Sequence, residues 1–450
     1  MSEYVVAKYG GTSMAQPEVV ASVVESDSRQ KVIVVSAPGK LQGDDTKVTD
    51  LLIGYADKVY GNKEDPKEER DEIVERFVSA YSSLGERDIS VLKDDLNDQL
   101  EEPTAHIFPS KDAILSIGEE FSAKFFARLT GTRYVDPQFF RFNPNGFDRP
   151  KSEKLILERD LLSQPDKIIV PGFYGYHEAG NVRYVFDRGG SDRSGAILAV
   201  ALGVDYQNWT DKSGIFSGDP SVVYNPAVIP VLTRDELREG AHGGNPVLQG
   251  DTIVDLAGSN TVVNIRNTFD ATAEGSLVVP SREDQEFDPE NIVVAVTGRD
   301  DATQLTVRDM GMSSRVGYVE SLTKKLKDAG VSLQHVPTSQ DTLSIIIHDN
   351  PESDLDRLAE LSKFVEGHSA SANPKITVEK KGMVYLIGEG LRSAHYQQAK
   401  AIRAMQIAES LGIAIMPVIA PNSPSIAFAT ERGEVDNLVR EIHKKEIEKL

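Results

Sequence analysis

The chain has 450 residues, 40% of them apolar and 26% charged, an ordinary balance for a globular protein and enough length for about two to four domains. Its 49 basic and 70 acidic residues give a formal net charge of −21, a field that repels nucleic acid and anionic membrane, so an anionic ligand must meet a locally basic pocket. The absence of cysteine excludes disulfides, thiolate catalysis and cysteine-ligated zinc. No apolar run approaches the ~20 residues of a membrane span, and Met1-Ser2-Glu3 opens no secretory pattern, so a cytoplasmic location is expected.

The first ~285 residues alternate short apolar runs with helical spacing, which predicts an α/β domain with a mostly parallel sheet. The first run ends at Lys8-Tyr9-Gly10-Gly11-Thr12-Ser13. A lysine at a strand end, glycines that let the backbone approach a phosphate, and two hydroxyls together can form an anion cradle. A strand followed by a plain glycine turn is the alternative. Lys31 to Ser36 and Lys167 to Pro171 read as buried strands, and Val182 to Phe186 and Val262 to Ile265 as further strands. Asp112 to Leu129 and Ser191 to Leu202 have helical spacing. Ligands on such sheets sit at the carboxyl ends of strands, where Lys8 and Ser36 fall.

Three segments carry candidate chemistry. In the first, Glu119 within Ile117 to Phe121 either faces a pocket to receive an ammonium or is a solvated glutamate. In the second, Asp187-Arg188-Gly189-Gly190-Ser191-Asp192 opens a helix whose N-terminus attracts anions. There Ser191 could equally be an N-cap and Asp192 a first-turn acid, whereas Arg188 stands before the turn, able to pair with a carboxylate. In the third, Asn208 to Phe216 holds the one tryptophan, with Thr210 and Asp211 placed for a nucleotide's ribose or Trp209 for core packing. The chain lacks a Gly-x-x-x-x-Gly-Lys-Ser/Thr loop and a Gly-x-Gly-x-x-Gly, so P-loop and dinucleotide-binding readings lose support. The eight histidines show no metal-ligand spacing.

The polar, acidic stretch 281–291 marks a domain boundary. Beyond it, strands are predicted at Ile292 to Val296, Gln304 to Val307, Ser332 to Val336, Thr342 to His348 and Ile376 to Glu379, with helices at Val316 to Ala329 and Ser353 to Phe364. The theme repeats with strands at Met383 to Ile387, Ile413 to Val418 and Ser425 to Ala429, and helices at His395 to Leu411 and Gly433 to Lys444. Two βαββαβ-like units suggest tandem ferredoxin-like modules.

Together these segments resemble the aspartate kinases of the amino-acid kinase superfamily. The family's Lys-Phe/Tyr-Gly-Gly-Thr-Ser pattern is intact at Lys8 to Ser13. Its Gly-Arg-Gly-Gly-Ser-Asp element corresponds to Asp187 to Asp192, and its Trp-Thr-Asp-x-x-Gly-Ile-Tyr segment to Trp209 to Phe216. Asn264 to Thr268 and Gly275 to Val278 resemble its last catalytic strands. Ser36 to Lys40, Asp45 to Asp50 and His335 to Pro337 look like a Gram-positive subgroup. The resemblance implies a three-layer kinase domain over 1–285, then two ACT domains over 292–380 and 381–450. It implies phosphorylation of the L-aspartate β-carboxylate by ATP with Mg²⁺, giving 4-phospho-L-aspartate. Catalytic roles fall to Lys8 and Asp192. Ser36, Thr49, Glu119, Arg188 and Ser191 would bind aspartate, and Lys8, Gly10, Gly11, Ser13, Thr210, Asp211 and Phe216 would bind ATP. An amino-acid effector, lysine and/or threonine, would meet Met312, Tyr318, Val319, Leu333 and Gln334. Pairing of ACT sheets implies at least a homodimer; no nucleic-acid or membrane partner is expected.

The sequence departs from the family pattern at Ser221, where an arginine is frequent, at Pro246, where a lysine often reaches ATP, and at Phe216 in place of tyrosine. Gln334 replaces the acid that would pair with an effector ammonium, which implies weaker lysine binding or a different effector. An alternative is a catalytically weak or silent amino-acid-sensing paralogue; a third is a kinase of glutamate, acetylglutamate or a nucleoside monophosphate.

Overall fold

The strand Val5–Tyr9 is buried along its whole length because it lies inside an eight-stranded sheet. The computed structural model describes residues 2–40, 45–62, 65–101, 110–178, 180, 182–187, 189–244, 250–282, 291–328, 330–348, 363, 367 and 374–449. They divide between two units, Met1–Ile215 with Val228–Leu237 and Val247–Glu283, and Phe216–Ala227 with Arg238–Pro246 and Asp284–Leu450.

In the first unit the sheet runs, in spatial order, 231–233, 276–279, 263–267, 205–210, 5–9, 30–35, 168–171, 133–134. Strands from 263–267 to 133–134 are parallel, and 276–279 opposes 263–267. Alternate residues of a strand face opposite ways. Ala7, Tyr9, Ile33, Val35 and Ile169 accordingly join a core with Leu51, Phe77, Leu96 and Phe121 from the helices Val48–Asp57, Lys67–Ala80, Glu86–Glu101 and Ile117–Thr130. Lys8, one step out of phase, meets the helix Gly190–Leu202 through Asp192.

Two expectations change here. Arg183–Val185 does not join the large sheet; it pairs antiparallel with Tyr174–His177 in a separate four-stranded sheet. Aromatic contacts tie it there, since Phe142 and Phe147 of that small sheet form one cluster with Tyr184 and Phe186. The predicted helix Asp112 to Leu129 is broken into Lys111–Leu115 and Ile117–Thr130, with the Ser116 hydroxyl donating to the carbonyl of Ala113 at 2.7 Å.

The second unit holds a five-stranded antiparallel sheet in the order 342–348, 295–308, 375–387, 425–431, 415–418. The four strands expected around residues 292–307 and 376–387 are two long ones, Ala295–Arg308 and Lys375–Ile387. The polar run Arg299-Asp300-Asp301 reads as a loop, but it forms a bulge between Arg299 and Ala302 that bends the strand without ending it. Each long strand therefore serves two cores. One gathers Leu305, Val307, Leu343 and Ile345 against Leu322 and Leu326 of the helix Tyr318–Asp328. The other gathers Val296, Val384, Leu386 and Phe428 against the helices Ala394–Ser410 and Val435–Glu446. The segment Ala295–Arg299 pairs with Met383–Ile387, not with the strand that follows it in sequence.

The strand expected at Ser332 to Val336 is reduced to a single bridge between His335 and Ile346. Pro337 offers no N–H to extend it, only a carbonyl that accepts from Ser344 N at 2.9 Å. Of the helix expected at Ser353 to Phe364 only residue 363 is among the described residues, and Ala329 is not among them. Among the described residues no helix is long and apolar enough to cross a membrane.

Candidate active site

A cavity of about 520 Å³ opens in the first unit at the carboxyl ends of the parallel strands, a size typical of small-molecule sites. Its lining includes Lys8, Gly11, Ser36, Thr49, Glu119, Ser191 and Asp192, seven of the residues the sequence nominates.

Lys8 sits in register with Val34 and Asn208 on the flanking strands. Its Nζ lies 2.6 Å from Asp192 Oδ1, and both side chains are largely buried. Asn208 Nδ2 donates to the same carboxylate oxygen at 3.1 Å. The ammonium is thus held in one place by an acid that is itself held, which suits a charge that must act without reorganising. Asp192 occupies the first turn of its helix, where the dipole also favours a carboxylate.

Adjacent glutamates on one helix take opposite states. Glu120 is buried, yet Arg183 at 2.6 Å and Lys124 at 3.1 Å outweigh the burial and hold its carboxyl below the usual range. Glu119 is equally buried but has no such clamp. Burial pushes it up to about 8, against weaker opposing help from a backbone hydrogen bond with Ala37 and from the Lys8 charge. One Glu119 carboxylate oxygen, Oε2, has no hydrogen-bond partner among the described residues. A buried polar atom without a partner is costly in a finished structure, and a bound ligand would satisfy it.

The floor depends on close backbone approaches. Gly11 begins the short helix Gly11–Met14, and Gly39 N donates to its carbonyl at 2.7 Å. A Cβ on Gly39 would lie 2.7 Å from the Gly11 carbonyl carbon, so the loop after Gln30–Val35 can close over the first strand only with glycine there. Gly10 has an extended backbone, φ −74°, and a Cβ there would meet nothing closer than Lys8 Nζ at 3.4 Å, so the fold itself does not demand glycine at that position. Gly189 does need positive φ, 74°, to start the Asp192 helix. Phe173, also at φ 74°, lines the cavity, a strained position of the kind that collects at functional sites.

The remaining nominated residues fall elsewhere. Ser13 is fully buried, its hydroxyl 2.7 Å from that of Thr268, and neither it nor Gly10 lines the cavity. Arg188 and Pro246 lie outside the described residues. Thr210 ends the strand Asp205–Thr210 and its hydroxyl donates to Asp211 Oδ1 at 3.0 Å. Phe216 belongs to the second unit. Trp209 is core: it stacks on Tyr9 at 5.8 Å, lies under Arg266 and donates to Gln207 Oε1 at 3.0 Å. Lys47, Thr12, Phe173 and Asp187 line the cavity without having been singled out. Thr12, Lys47 and Asp187 lie inside recognised motifs without having been given a role; Phe173 is apolar and carried no chemical signal.

In the second unit, Met312, Tyr318 and Leu333 pack in or against one apolar core, while Val319 is exposed. Gln334 turns to a different neighbour, sharing a side-chain hydrogen bond with His242.

The sequence model of the amino acid kinase family matches residues 3–267. Aspartokinase 3 of Bacillus subtilis is 32% identical over 420 residues, covering 90% of each chain. Lysine-sensitive aspartokinase 3 of Escherichia coli is 27% identical over 418 residues, 88% of this chain and 89% of that one. Among solved structures, Clostridium acetobutylicum aspartate kinase superposes with a TM-score of 0.82 at 25% identity, covering 99% of this chain and 100% of the other. With motif order, cavity and full-length similarity in agreement, the chain belongs to the amino acid kinase family, in its aspartokinase branch.

Proposed function

We propose that this enzyme transfers the γ-phosphate of ATP to the β-carboxylate of L-aspartate, giving 4-phospho-L-aspartate, the first step of lysine, threonine and methionine biosynthesis. The observation that carries the reading is the presence in one cavity of a fixed ammonium, Lys8, and a buried carboxyl, Glu119, one of whose oxygens has no partner among the described residues. Aspartate needs a partner for its ammonium, and Glu119 supplies one. Its β-carboxylate is ionised at neutral pH, so no general base is required. Phosphoryl transfer then depends on positioning and on neutralising charge. Lys8 neutralises charge on the transferring group, Asp192 and Asn208 hold Lys8 in place, and Ser36, Thr49 and Ser191 border the amino acid. Arg188 takes the α-carboxylate in this reading.

Nucleotide binding extends to Gly10, Gly11, Thr210, Asp211 and Phe216. The lysine and closely packed glycines at the first strand's end suit phosphate oxygens, and Mg²⁺ enters with the nucleotide as part of the substrate, neutralising phosphate charge. Residues 1–285 act as the kinase module and 292–380 and 381–450 as ACT modules, with Ala295–Arg299 lending a strand to the second. Amino-acid feedback, by lysine or threonine, and assembly into at least a homodimer belong to the same reading. The relative named lysine-sensitive supports such feedback. With Gln334 engaged by His242, lysine binding at Met312, Tyr318 and Val319 is expected to be weak.

ATP turnover against L-aspartate, L-glutamate, N-acetylglutamate and UMP tests the reading. Turnover with aspartate alone supports it; preference for another acceptor, or none from folded protein, rejects it.

A further inference from the structure

Arg183 does not line the candidate active-site cavity, yet it ties together two of the walls that do. One wall is the helix Ile117–Thr130, which carries Glu119; the other is formed by Phe186, Asp187 and residues 189–192, where the next helix begins. The strand Arg183–Val185 leads directly into that second wall. It is bound to the helical wall at three points. Val185 N donates to Asp112 Oδ2 at 3.2 Å. Arg183 Nη1 donates to Ser116 Oγ at 3.0 Å and to Glu120 Oε2 at 2.6 Å.

Ser116 and Glu120 stand about one helical turn apart and so share a face, with Glu119 rotated about 100° from Glu120. Holding both fixes the rotation of the helix about its axis, and with it the direction of Glu119. The helix start has no side-chain cap of its own. The arginine is itself immobilised. Its guanidinium lies over the rings of Tyr174 and Tyr176 at 5.0 and 5.9 Å, and Tyr176 is its cross-strand partner in the small sheet. Tyr176 Oη in turn donates to Asp136 Oδ2 at 3.0 Å. Lys124 also pairs with Glu120, at 3.1 Å, but from the same helix, so it stabilises that charge without crossing to the other wall.

We propose that Arg183 is a positioning residue for the amino-acid acceptor. By gripping Ser116 and Glu120 from the strand that feeds residues 189–192, it sets the span between Glu119, which receives the ammonium, and the turn that borders the rest of the same molecule. The assignment rests on the kinase reading, since it takes aspartate as the ligand. A small acceptor touches both walls at once, and misplacing a reacting group by about 1 Å can cost as much as about 10²-fold. Gly10 and Thr210, on the nucleotide side, belong to the ends of other strands, so the effect falls on the acceptor.

Steady-state kinetics of the full chain, with L-aspartate and ATP varied separately, test the assignment alongside thermal melts. Glu120→Met with Arg183→Met removes the pair without stranding a buried charge, an exchange that is often neutral for stability. The KM for aspartate should rise at least about tenfold, with the KM for ATP within about twofold and kcat changed less than the aspartate KM. Arg183→Lys keeps the charge beside Glu120 but loses the planar fork; it should fold like the wild type and raise the aspartate KM in the same direction by a smaller factor. Lys124→Gln takes a charge from the same glutamate without cutting the tie between walls, so it should lower the melting temperature and leave the aspartate KM within about twofold. A merely structural Arg183 would lower the melting temperature without separating the two KM values. An aspartate KM unchanged in Arg183→Lys and in the double variant, a KM for ATP that rises in step with it, or an equal rise in Lys124→Gln would overturn the assignment while wild-type turnover left the kinase reading standing. Folded wild-type protein that does not phosphorylate aspartate would overturn the kinase reading and this assignment with it.

Discussion

Each of the two units holds a cavity, and the two are assembled from opposite materials. The one in the first unit is built at strand ends from residues within recognisable motifs, and it holds the ion pair of Lys8 and Asp192 beside Glu119, one of whose oxygens has no partner among the described residues. The one in the second unit is built from two separate segments, residues 334–338 and 417–427, and Glu239 near a helix end, with a single carboxylate and no lysine or arginine among its lining residues. Paired, immobilised charge suits a reaction in which negative charge moves. Glu119 and Glu120 repeat the lesson at smaller scale: neighbours on one helix, one clamped by Arg183 and Lys124, the other left available.

The sharpest way to break this contrast is Lys8→Ala. Loss of one preorganised charge at the reacting group should lower kcat by roughly 10²–10³-fold, while melting stays cooperative. Full activity in that variant would remove the first cavity from the chemistry.

Glu119→Gln is next. Losing a charged hydrogen bond worth roughly 1.5–3 kcal/mol should raise the KM for aspartate by about 10–100-fold, with a smaller change in kcat. The wild type sharpens the point through pH. A carboxyl raised to about 8 is mostly protonated at pH 7 and must ionise to receive an ammonium. The kcat/KM for aspartate should therefore rise with pH and bend near about 8, and the bend should vanish in Glu119→Gln. A flat profile in the wild type would show that Glu119 does not meet the substrate ammonium.

A third effect belongs to the second unit. His335 is lowered to about 4 in the folded chain, below its unfolded value, so the unfolded state binds more protons between about 4 and about 6.5. Stability should fall as pH drops through that window, and His335→Asn should flatten the dependence. Thermal melts between pH 7 and pH 5 check this, and identical slopes for both proteins would contradict it.

The smallest effect expected is for Ser13→Ala. Its hydroxyl is buried against Thr268 and outside the cavity, so the change should cost about 1 kcal/mol of stability and leave kcat within a few-fold. A large kinetic defect would return Ser13 to the phosphate-binding role its motif suggests.

Much of the first cavity was legible because its residues lie in short, locally determined segments. A lysine at the end of an apolar run and a glycine pair before an acid announce a strand end and a helix start. What was not legible depended on distant partners. Ser13 reads as a cradle hydroxyl until Thr268, from the other end of the domain, takes it. Core packing, the reading the sequence leaves open for Trp209, becomes definite only when Tyr9 and Arg266, both distant in sequence, enclose it. Phe173 has no signal at all, because its place depends on a positive φ. In the second unit the elements were recognisable but the continuity of Ala295–Arg308 was not, since a bulge at Arg299 to Asp301 looks like a loop. The second cavity was invisible to motif reading because its walls are separated by some eighty residues of chain, a distance only folding closes.

The central claim is that the Lys8 and Glu119 cavity makes an acyl phosphate from aspartate. Hydroxylamine traps such a product as the hydroxamate, so the measurement is ATP-dependent aspartyl hydroxamate formation, with and without Mg²⁺, in the wild type and in Lys8→Ala. The account predicts Mg²⁺-dependent product in the wild type and a loss of at least about 100-fold in the variant. No hydroxamate from folded wild-type protein, or equal product from Lys8→Ala, would contradict it.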